Sequence, residues 1–320
     1  MPGEEWLDLI VADRADVAEG IVSIDLVSAT PQQQLPRFEP GAHIDVAVGA
    51  NLVRQYSLCG DPADADRYRL GVLLEPASRG GSVAIHRGFN RGDRVRAHPP
   101  RNTFRLDPAA PHSLLFAGGI GVTPMIAMAH ALHSARRSFT LHYCVRSQSR
   151  AAFWSELNQA PFGNKVVLHR EDDPGLQAFD PVSLLQTVPF GTHAYICGPA
   201  GFISAVATAA GSAGYGPDRL HIERFVAQTG GSGSFTVHAS RSGIEVEVGP
   251  GQTIASALMN AGIDVELSCE AGVCGTCLTR VIEGTPDHRD QFQTEAEKRS
   301  GDHITICCSR SHSLRLVVDL

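Results

Sequence analysis

The chain has no basic excess. Against 34 Asp and Glu it sets 27 Lys and Arg, for a net charge of −7, with no clustered basic run, and this excludes a general nucleic-acid binder, which needs a concentrated positive surface. It has no N-terminal basic segment followed by an apolar stretch: MPGEEWLDLIVADRAD is acidic from the start, so a secretory leader is not expected and the cytoplasm is. It has one long stretch free of Asp, Glu, Lys and Arg, Ser113 to Leu132, and that stretch is broken at its centre by Gly118, Gly119, Gly121, Thr123 and Pro124. A buried strand, a tight turn and a helix account for it, and no membrane span is expected. Internal repeats are absent, as is any low-complexity tract outside AQTGGSGSF, residues 227–235.

What is present points to several domains. A length of 320 residues suits two or three cores rather than one. The Gly/Ser stretch supplies freedom and nothing to bury, which marks a boundary. Up to about Asp107 the apolar runs are short and alternating (IVSIDLVS, HIDVAV, RYRLGVLL, DRVRAH), the pattern of half-buried strands in a small antiparallel barrel. From about Pro111, short β-rich runs (SLLFAG, SFTLHYCV, KVVLHR, HAYICG) alternate with helical segments at 124–134, 153–159 and 202–210, which predicts a parallel sheet with crossovers. Beyond the linker, FTVHAS and GIEVEV flank Arg241 and Ser242 as a hairpin. GQTIASALMNAGI reads as a helix with Ile254, Leu258 and Ala261 on one face and Gly262 at its end, and LRLVVDL is a last strand.

Of eight cysteines, Cys269, Cys274 and Cys277 are spaced C-x4-C-x2-C, with Cys307 and Cys308 further on. This is the ligand spacing of a plant-type [2Fe-2S] centre, whose irons need soft thiolates and can take three of them from one loop. Gly272 and Gly275 suit a chain wound around a cluster with amides aimed at sulfur. Structural zinc and unliganded buried thiols are the competing readings; zinc modules usually pair two C-x2-C knuckles, and here there is one. Cys307 is the expected fourth ligand and Cys308 a packing residue. Cys59, Cys144 and Cys197 lie in apolar runs as core thiols.

Two further stretches carry chemistry. LLFAGGIGVTPM runs from strand through Gly118, Gly119 and Gly121 into Thr123, a helix cap by its residue type, and Pro124 at the first helical position, so free amides face the turn and can hold a pyrophosphate. The third glycine of a dinucleotide fingerprint is missing. In the barrel, RQYSL offers Arg54, and SRGGS offers Arg79 with Gly80, Gly81 and Ser82 at the start of a short helix. A phosphate held there, with Tyr56 against a ring and Ser57 near its reactive nitrogen, describes a flavin; an ordinary strand and turn with solvated arginines is the competing reading. The ends of the later strands bring Cys197, in CGP, and Phe225, in ERF, to the place where open parallel sheets bind ligands.

Taken in order, RQYS, SRGGS, GGIGVTP, CGP, ERF and the cysteine pattern resemble phthalate dioxygenase reductase and its relatives, single-chain reductases that serve Rieske oxygenases, over essentially the whole chain. The resemblance implies an antiparallel flavin barrel over 1–108, an α/β parallel-sheet nucleotide domain of the ferredoxin-NADP-reductase kind over 109–226, a linker at 227–234, and an α+β β-grasp ferredoxin over 235–320. It implies that Arg54, Gln55, Tyr56, Ser57, Arg79, Gly80, Gly81 and Ser82 bind FMN. Gly119, Gly121, Thr123, Pro124, Arg146, Cys197, Gly198 and Pro199 would bind NADH, and Phe225 would cover the flavin. Ser57, Cys197 and Phe225 are the expected catalytic residues, with Cys269, Cys274, Cys277 and Cys307 on the cluster. NADH gives two electrons at once and an iron–sulfur centre takes one, so a flavin must convert between them on the way to a terminal Rieske oxygenase, from what is expected to be a monomer. The alternative is a stand-alone reductase of diffusible acceptors. Residues 235–320 hold 12 acidic and 7 basic side chains, −5 in all, a face that can steer a basic partner. Near the second strand end Arg146, Ser147 and Arg150 permit a 2′-phosphate and hence NADPH. Asp172 and Asp173 suit a ribose, and Phe153 stands where NADPH would favour a tyrosine.

Overall fold

The structure, a computed structural model, describes residues 6–49, 52–75, 78, 80–173, 179–225, 233–267, 270, 272, 274–290 and 292–320. It divides into two compact units, Met1–Arg224 and Phe225–Leu320. The expected boundary near residue 108 falls inside the first unit, and most of the expected linker lies outside the described residues.

The first unit opens with six antiparallel strands: β1 (Leu7–Ala18), β2 (Ile21–Ser28), β3 (His43–Gly49), β4 (Leu52–Ser57), β5 (Tyr68–Leu73) and β6 (Arg94–Ala97), in the order β4-β3-β6-β1-β2-β5. A bridge between Leu58, just past β4, and Leu70 of β5 joins the two edge strands, so the sheet closes as a barrel and leaves no long free edge. Helix α1 (Gly81–Gly88) plugs it with Ile85 among Leu9, Val11, Ile24, Leu26, Ile44, Val46 and Leu70. Strand β1, the longest, was not among the runs read as strands; register shifts between Val11 and Asp13 and between Asp16 and Ala18 break its alternation.

Five parallel strands follow: β7 (Ser113–Gly118), β8 (Phe139–Val145), β9 (Val166–Arg170), β10 (His193–Cys197) and β11 (Leu220–Glu223), in the order β11-β10-β7-β8-β9. The helices are α2 (Val122–Ser134), α3 (Trp154–Gln159), α4 (Pro181–Gln186) and α5 (Ala200–Ser212). Every residue of β7 is buried, as expected of a strand covered on both faces. Leu115 and Ala117 pack toward α2, and Leu114 and Phe116 toward α4 and α5. The barrel shares its interior with this layer: Ala127 of α2 sits in the barrel core, while Ile21, Cys59 and Phe104 join the core under α2. That common interior makes one unit of the two sheets. Phe153 belongs to it too, buried, with its ring and Thr123 both against Gly71.

In the second unit β12 (Phe235–Ala239), β13 (Ile244–Val248), α6 (Ile254–Asn260), β14 (Leu278–Glu283), β15 (Pro286–Asp287), α7 (Glu295–Ser300), β16 (His303–Thr305), β17 (Arg310–Ser311) and β18 (Arg315–Val318) follow in turn. The sheet order is β13-β12-β18-β14-β16, the first and last strands pairing in parallel between antiparallel neighbours, the β-grasp arrangement. Ile254 and Leu258 of α6 enter the core with Phe235, Val237, Ile304 and Leu316. Ala261 does not: it is exposed, because the helix ends at Asn260 before the turn brings it back to that face. Among the described residues no helix is long and apolar enough to cross a membrane.

Candidate active site and cluster loop

Strand β4 pairs with β3 so that Arg54, Gln55, Tyr56 and Ser57 lie along one barrel edge. A Cβ on Gly81 would stand 2.6 Å from Cγ of Arg54 and 3.1 Å from its Nε. The arginine therefore lies across the first turn of α1, where it and the helix amides together favour an anion. Burial pushes the Tyr56 phenol up to about 12, so it stays neutral as a stacking surface. The Nε2 of Gln55 is buried without a hydrogen-bond partner among the described residues, a donor waiting for an acceptor such as a flavin ring supplies. Gly80 and Ser82 turn inward to their own loop: Gly80 N–H donates to Ser78 Oγ at 3.2 Å, and Ser82 Oγ accepts from Glu75 N–H at 3.1 Å and donates to Ser78 Oγ at 2.9 Å. Arg79 lies outside the described residues.

The nucleotide turn differs from its reading at one point. A single 3-10 turn, Gly119–Gly121, runs straight into α2, which begins at Val122. Thr123 is therefore inside the helix, not its cap; it is buried and its hydroxyl donates to Ile120 O at 3.0 Å, and Pro124 is buried beside it. Gly121 has ordinary helical dihedrals, yet a Cβ there would meet the Cys197 carbonyl oxygen at 2.3 Å and Gly198 N at 2.7 Å. It lets the turn after β7 rest directly on the turn after β10, which Gly198 and Pro199 form. Backbone cannot retreat as a side-chain tip can. Gly121→Ala is expected to cost about 1–3 kcal/mol and to raise KM for the nucleotide, read by thermal melting and steady-state kinetics. Gly201→Ala, where a Cβ would meet nothing within 4 Å, is the neutral control.

The strand ends converge where barrel and parallel sheet share their core. Ser57 Oγ, at the end of β4, donates to Glu223 Oε2 at 3.4 Å, and the Cys197 thiol approaches the same oxygen at 3.8 Å. Cys197 and Glu223 are register partners at the ends of β10 and β11. Burial pushes the Glu223 carboxyl up to about 8, against the pull of the Ser57 and Cys197 hydrogen bonds, so near neutral pH it holds a proton beside Ser57. The Cys197 thiol is raised well above its ordinary value by burial and by Glu223, and is a neutral wall rather than a nucleophile. No motif singles out Glu223 in the sequence; a carboxylate at the end of a buried parallel strand, level with Cys197, is the available signal. Phe225 opens the second unit.

In the second unit Cys277 and Cys307 are buried and Cys274 is partly exposed, its thiol 3.3 Å from Thr276 Oγ1; Cys269 lies outside the described residues. Among the described residues no three metal-ligating side chains converge. The loop nevertheless fits a cluster in its donor set and its backbone. Glu270, Gly272 and Gly275 have φ of 51°, 75° and 76°, and a Cβ on Gly275 would enter the Phe292 ring at 2.3 Å. Left-handed turns at successive points coil the chain on itself as cluster wrapping requires. Cys308 is spent within its own turn, its thiol 3.3 Å from Thr305 Oγ1 and 3.8 Å from Thr305 O.

A barrel with an anion-binding helix start, sharing a core with a parallel nucleotide sheet and followed by a cysteine-bearing β-grasp unit, defines the class: an iron–sulfur flavoprotein oxidoreductase. Residues 237–312 match the 2Fe-2S iron-sulfur cluster binding domain, and residues 93–220 the N-terminal domain of dimethylamine monooxygenase subunit DmmA-like proteins. The chain belongs to the phthalate dioxygenase reductase family. It is 44% identical over 98% of its length, and 100% of the relative's, to vanillate O-demethylase oxidoreductase of Pseudomonas sp. (strain HR199 / DSM 7063). It is 38% identical to tetrachlorobenzoquinone reductase of Sphingobium chlorophenolicum over 98% of each chain. Among solved structures it resembles phthalate dioxygenase reductase, described as a modular structure for electron transfer from pyridine nucleotides to [2Fe-2S], with a TM-score of 0.75 and 37% identity over 98% of each chain.

Proposed function

We propose that this chain is the NADH-dependent reductase component of a Rieske oxygenase system, carrying electrons from NADH through FMN and a [2Fe-2S] cluster to the terminal oxygenase, as a cytoplasmic monomer. The observation that carries the reading is the meeting of Ser57, Cys197 and Glu223 between a flavin-type barrel and a nucleotide sheet, in one chain with the cysteine loop. Arg54 and the start of α1 hold the flavin phosphate, Gln55 and Tyr56 address its ring, and Ser57 faces its reactive edge. Arg79, Gly80, Gly81 and Ser82 complete the phosphate loop, the last two of them through backbone amides. The turn 119–124 and Cys197–Pro199 would hold the nucleotide, and Arg146 would flank its ribose. Cys269, Cys274, Cys277 and Cys307 hold the irons. When bound, the flavin supplies the conversion between a two-electron donor and a one-electron acceptor. The relatives carnitine monooxygenase reductase subunit and phthalate dioxygenase reductase, named for oxygenase systems, support the partner.

The test is a purified holoprotein assayed with NADH and a Rieske oxygenase. The expected result is FMN as the released flavin, iron and acid-labile sulfide in equal amounts, and oxygenase turnover that needs this chain. FAD, or zinc in place of iron, overturns the cofactor assignment. The similarity to tetrachlorobenzoquinone reductase favours a second reading, reduction of a diffusible acceptor, which predicts full turnover of a quinone with no oxygenase present.

A further inference from the structure

The sequence leaves the nucleotide preference open, with arginines at a strand end that can accept a 2′-phosphate. The geometry of the first unit bears on it directly. Strand β8 lies beside β7, Cys144 level with Gly118, so the segment Arg146–Arg150 leaves the sheet next to the pyrophosphate turn, where the adenosine ribose of a bound nucleotide reaches. The barrel's β1–β2 turn meets this segment through one residue. Glu19 N–H donates to Ser149 O at 2.8 Å, Ser149 Oγ donates to Glu19 Oε2 at 3.1 Å, and Arg150 Nη2 donates to Glu19 Oε1 at 3.0 Å. Hydrogen bonds from Arg150 and Ser149 hold the Glu19 carboxyl below the usual carboxylate range, so it is charged at any working pH.

The other basic group at this edge is likewise engaged. Arg170 pairs with Asp173, donates to Gln148 Oε1 at 2.9 Å and lies 3.8 Å from Asp172. Asp172 and Asp173 are thus turned to an arginine rather than left for a ribose. Arg146 alone is exposed with no ion-pair partner among the described residues.

We propose that Glu19 sets the nucleotide preference: it occupies the Arg150 guanidinium that a 2′-phosphate would need and stands as a fixed negative charge beside the ribose, which a neutral 2′-hydroxyl tolerates and a phosphate dianion does not. The inference rests on the NADH reading above and adds the residue responsible. A phosphate draws its affinity from guanidinium groups in fork geometry, and a carboxylate already in that fork competes with it. The specificity determinant thereby comes from the barrel, outside the nucleotide motif. Both partners are about half exposed, at 59% and 47% side-chain accessibility, so solvent screens the pair and the effect is a graded preference rather than exclusion.

The test is calorimetric titration of the flavin-loaded, full-length protein with 5′-ADP and with 2′,5′-ADP, for wild type, Glu19→Gln and Glu19→Gln/Arg150→Gln, alongside kcat/KM for NADH and NADPH. Glu19→Gln is expected to shift the ratio of the two affinities about tenfold toward 2′,5′-ADP, by freeing the Arg150 guanidinium and removing one like charge at a half-exposed site, and the added Arg150→Gln to reverse most of that shift. A wild type that prefers 5′-ADP, with a ratio unmoved by Glu19→Gln or a shift that survives loss of Arg150, overturns this inference alone. A wild type that prefers 2′,5′-ADP and NADPH overturns the NADH reading together with it.

Discussion

Cys277→Ser yields a protein that keeps its flavin and loses its cluster: iron and sulfide fall away, the visible spectrum reduces to that of the flavin, and NADH-driven cytochrome c reduction drops. The drop is expected to be about a hundredfold or more, beyond the roughly 10–100-fold that loss of an outer-shell partner costs, because a hard hydroxyl replaces a soft thiolate. NADH-driven ferricyanide reduction, for which the flavin and nucleotide sites are expected to suffice, is expected to continue within a fewfold. The contrast follows from the architecture. Cys277 is buried just before β14 in the second unit, in the core with Ile304, Ile306 and Cys307. The Ser57, Cys197 and Glu223 group lies wholly in the first. Cys308→Ser serves as comparison, since its thiol bonds within its own turn; it should retain iron and most electron transfer. A Cys277→Ser protein with full iron, full sulfide and undiminished cytochrome c reduction would falsify the ligand assignment.

The second large effect is expected at Glu223. Its carboxyl is raised from 4.5 to about 8, so the proton is bound more tightly in the folded protein than in the unfolded chain. Its favourable contribution to stability is fully present below about pH 4.5 and is lost as pH climbs toward 8, where a buried anion must be carried. Glu223→Gln removes that burden, so the gain in melting temperature over wild type should be greatest above pH 8. Catalysis is expected to track the same titration. The wild-type rate of ferricyanide reduction is expected to fall on an alkaline limb near pH 8 as Glu223 ionises beside Ser57, and the limb should disappear in Glu223→Gln. Glu223→Ala leaves Ser57 Oγ without its acceptor and should lower the rate by about a hundredfold, the lower end of what a positioned proton-transfer group contributes. An alkaline limb that persists unchanged in the glutamine variant would remove Glu223 from the reaction.

The strands of both units were legible where side chains alternate or form a short β-rich apolar run: YRLGVL, FTLHYCV and FTVHA each lie within the run that predicted them. Strand β1 was hidden because two register shifts spoil its period and its second half is acidic. The cysteine loop was legible because iron ligation imposes spacing on a short segment, whereas the Glu223 group is made of residues 26 and 166 positions from it, and spacing at that range carries no signal. Thr123 misled for a local reason: its residue type favours a cap, but the 3-10 turn ahead of it delivers the chain already wound, and Gly121 rather than a hydroxyl makes the start possible. Glu19 was beyond reach, since it touches Arg150 across 131 positions.

Because Ala127 of α2 fills the interior of the barrel, neither layer is a self-sufficient cassette. Shuffling of parts, by gene fusion in nature or by hand in the laboratory, would leave a hole if it cut near residue 108, inside the first unit, whereas the division into units falls after Arg224. New electron carriers are therefore most readily spliced behind that junction, while the flavin- and nucleotide-bearing portion is inherited whole.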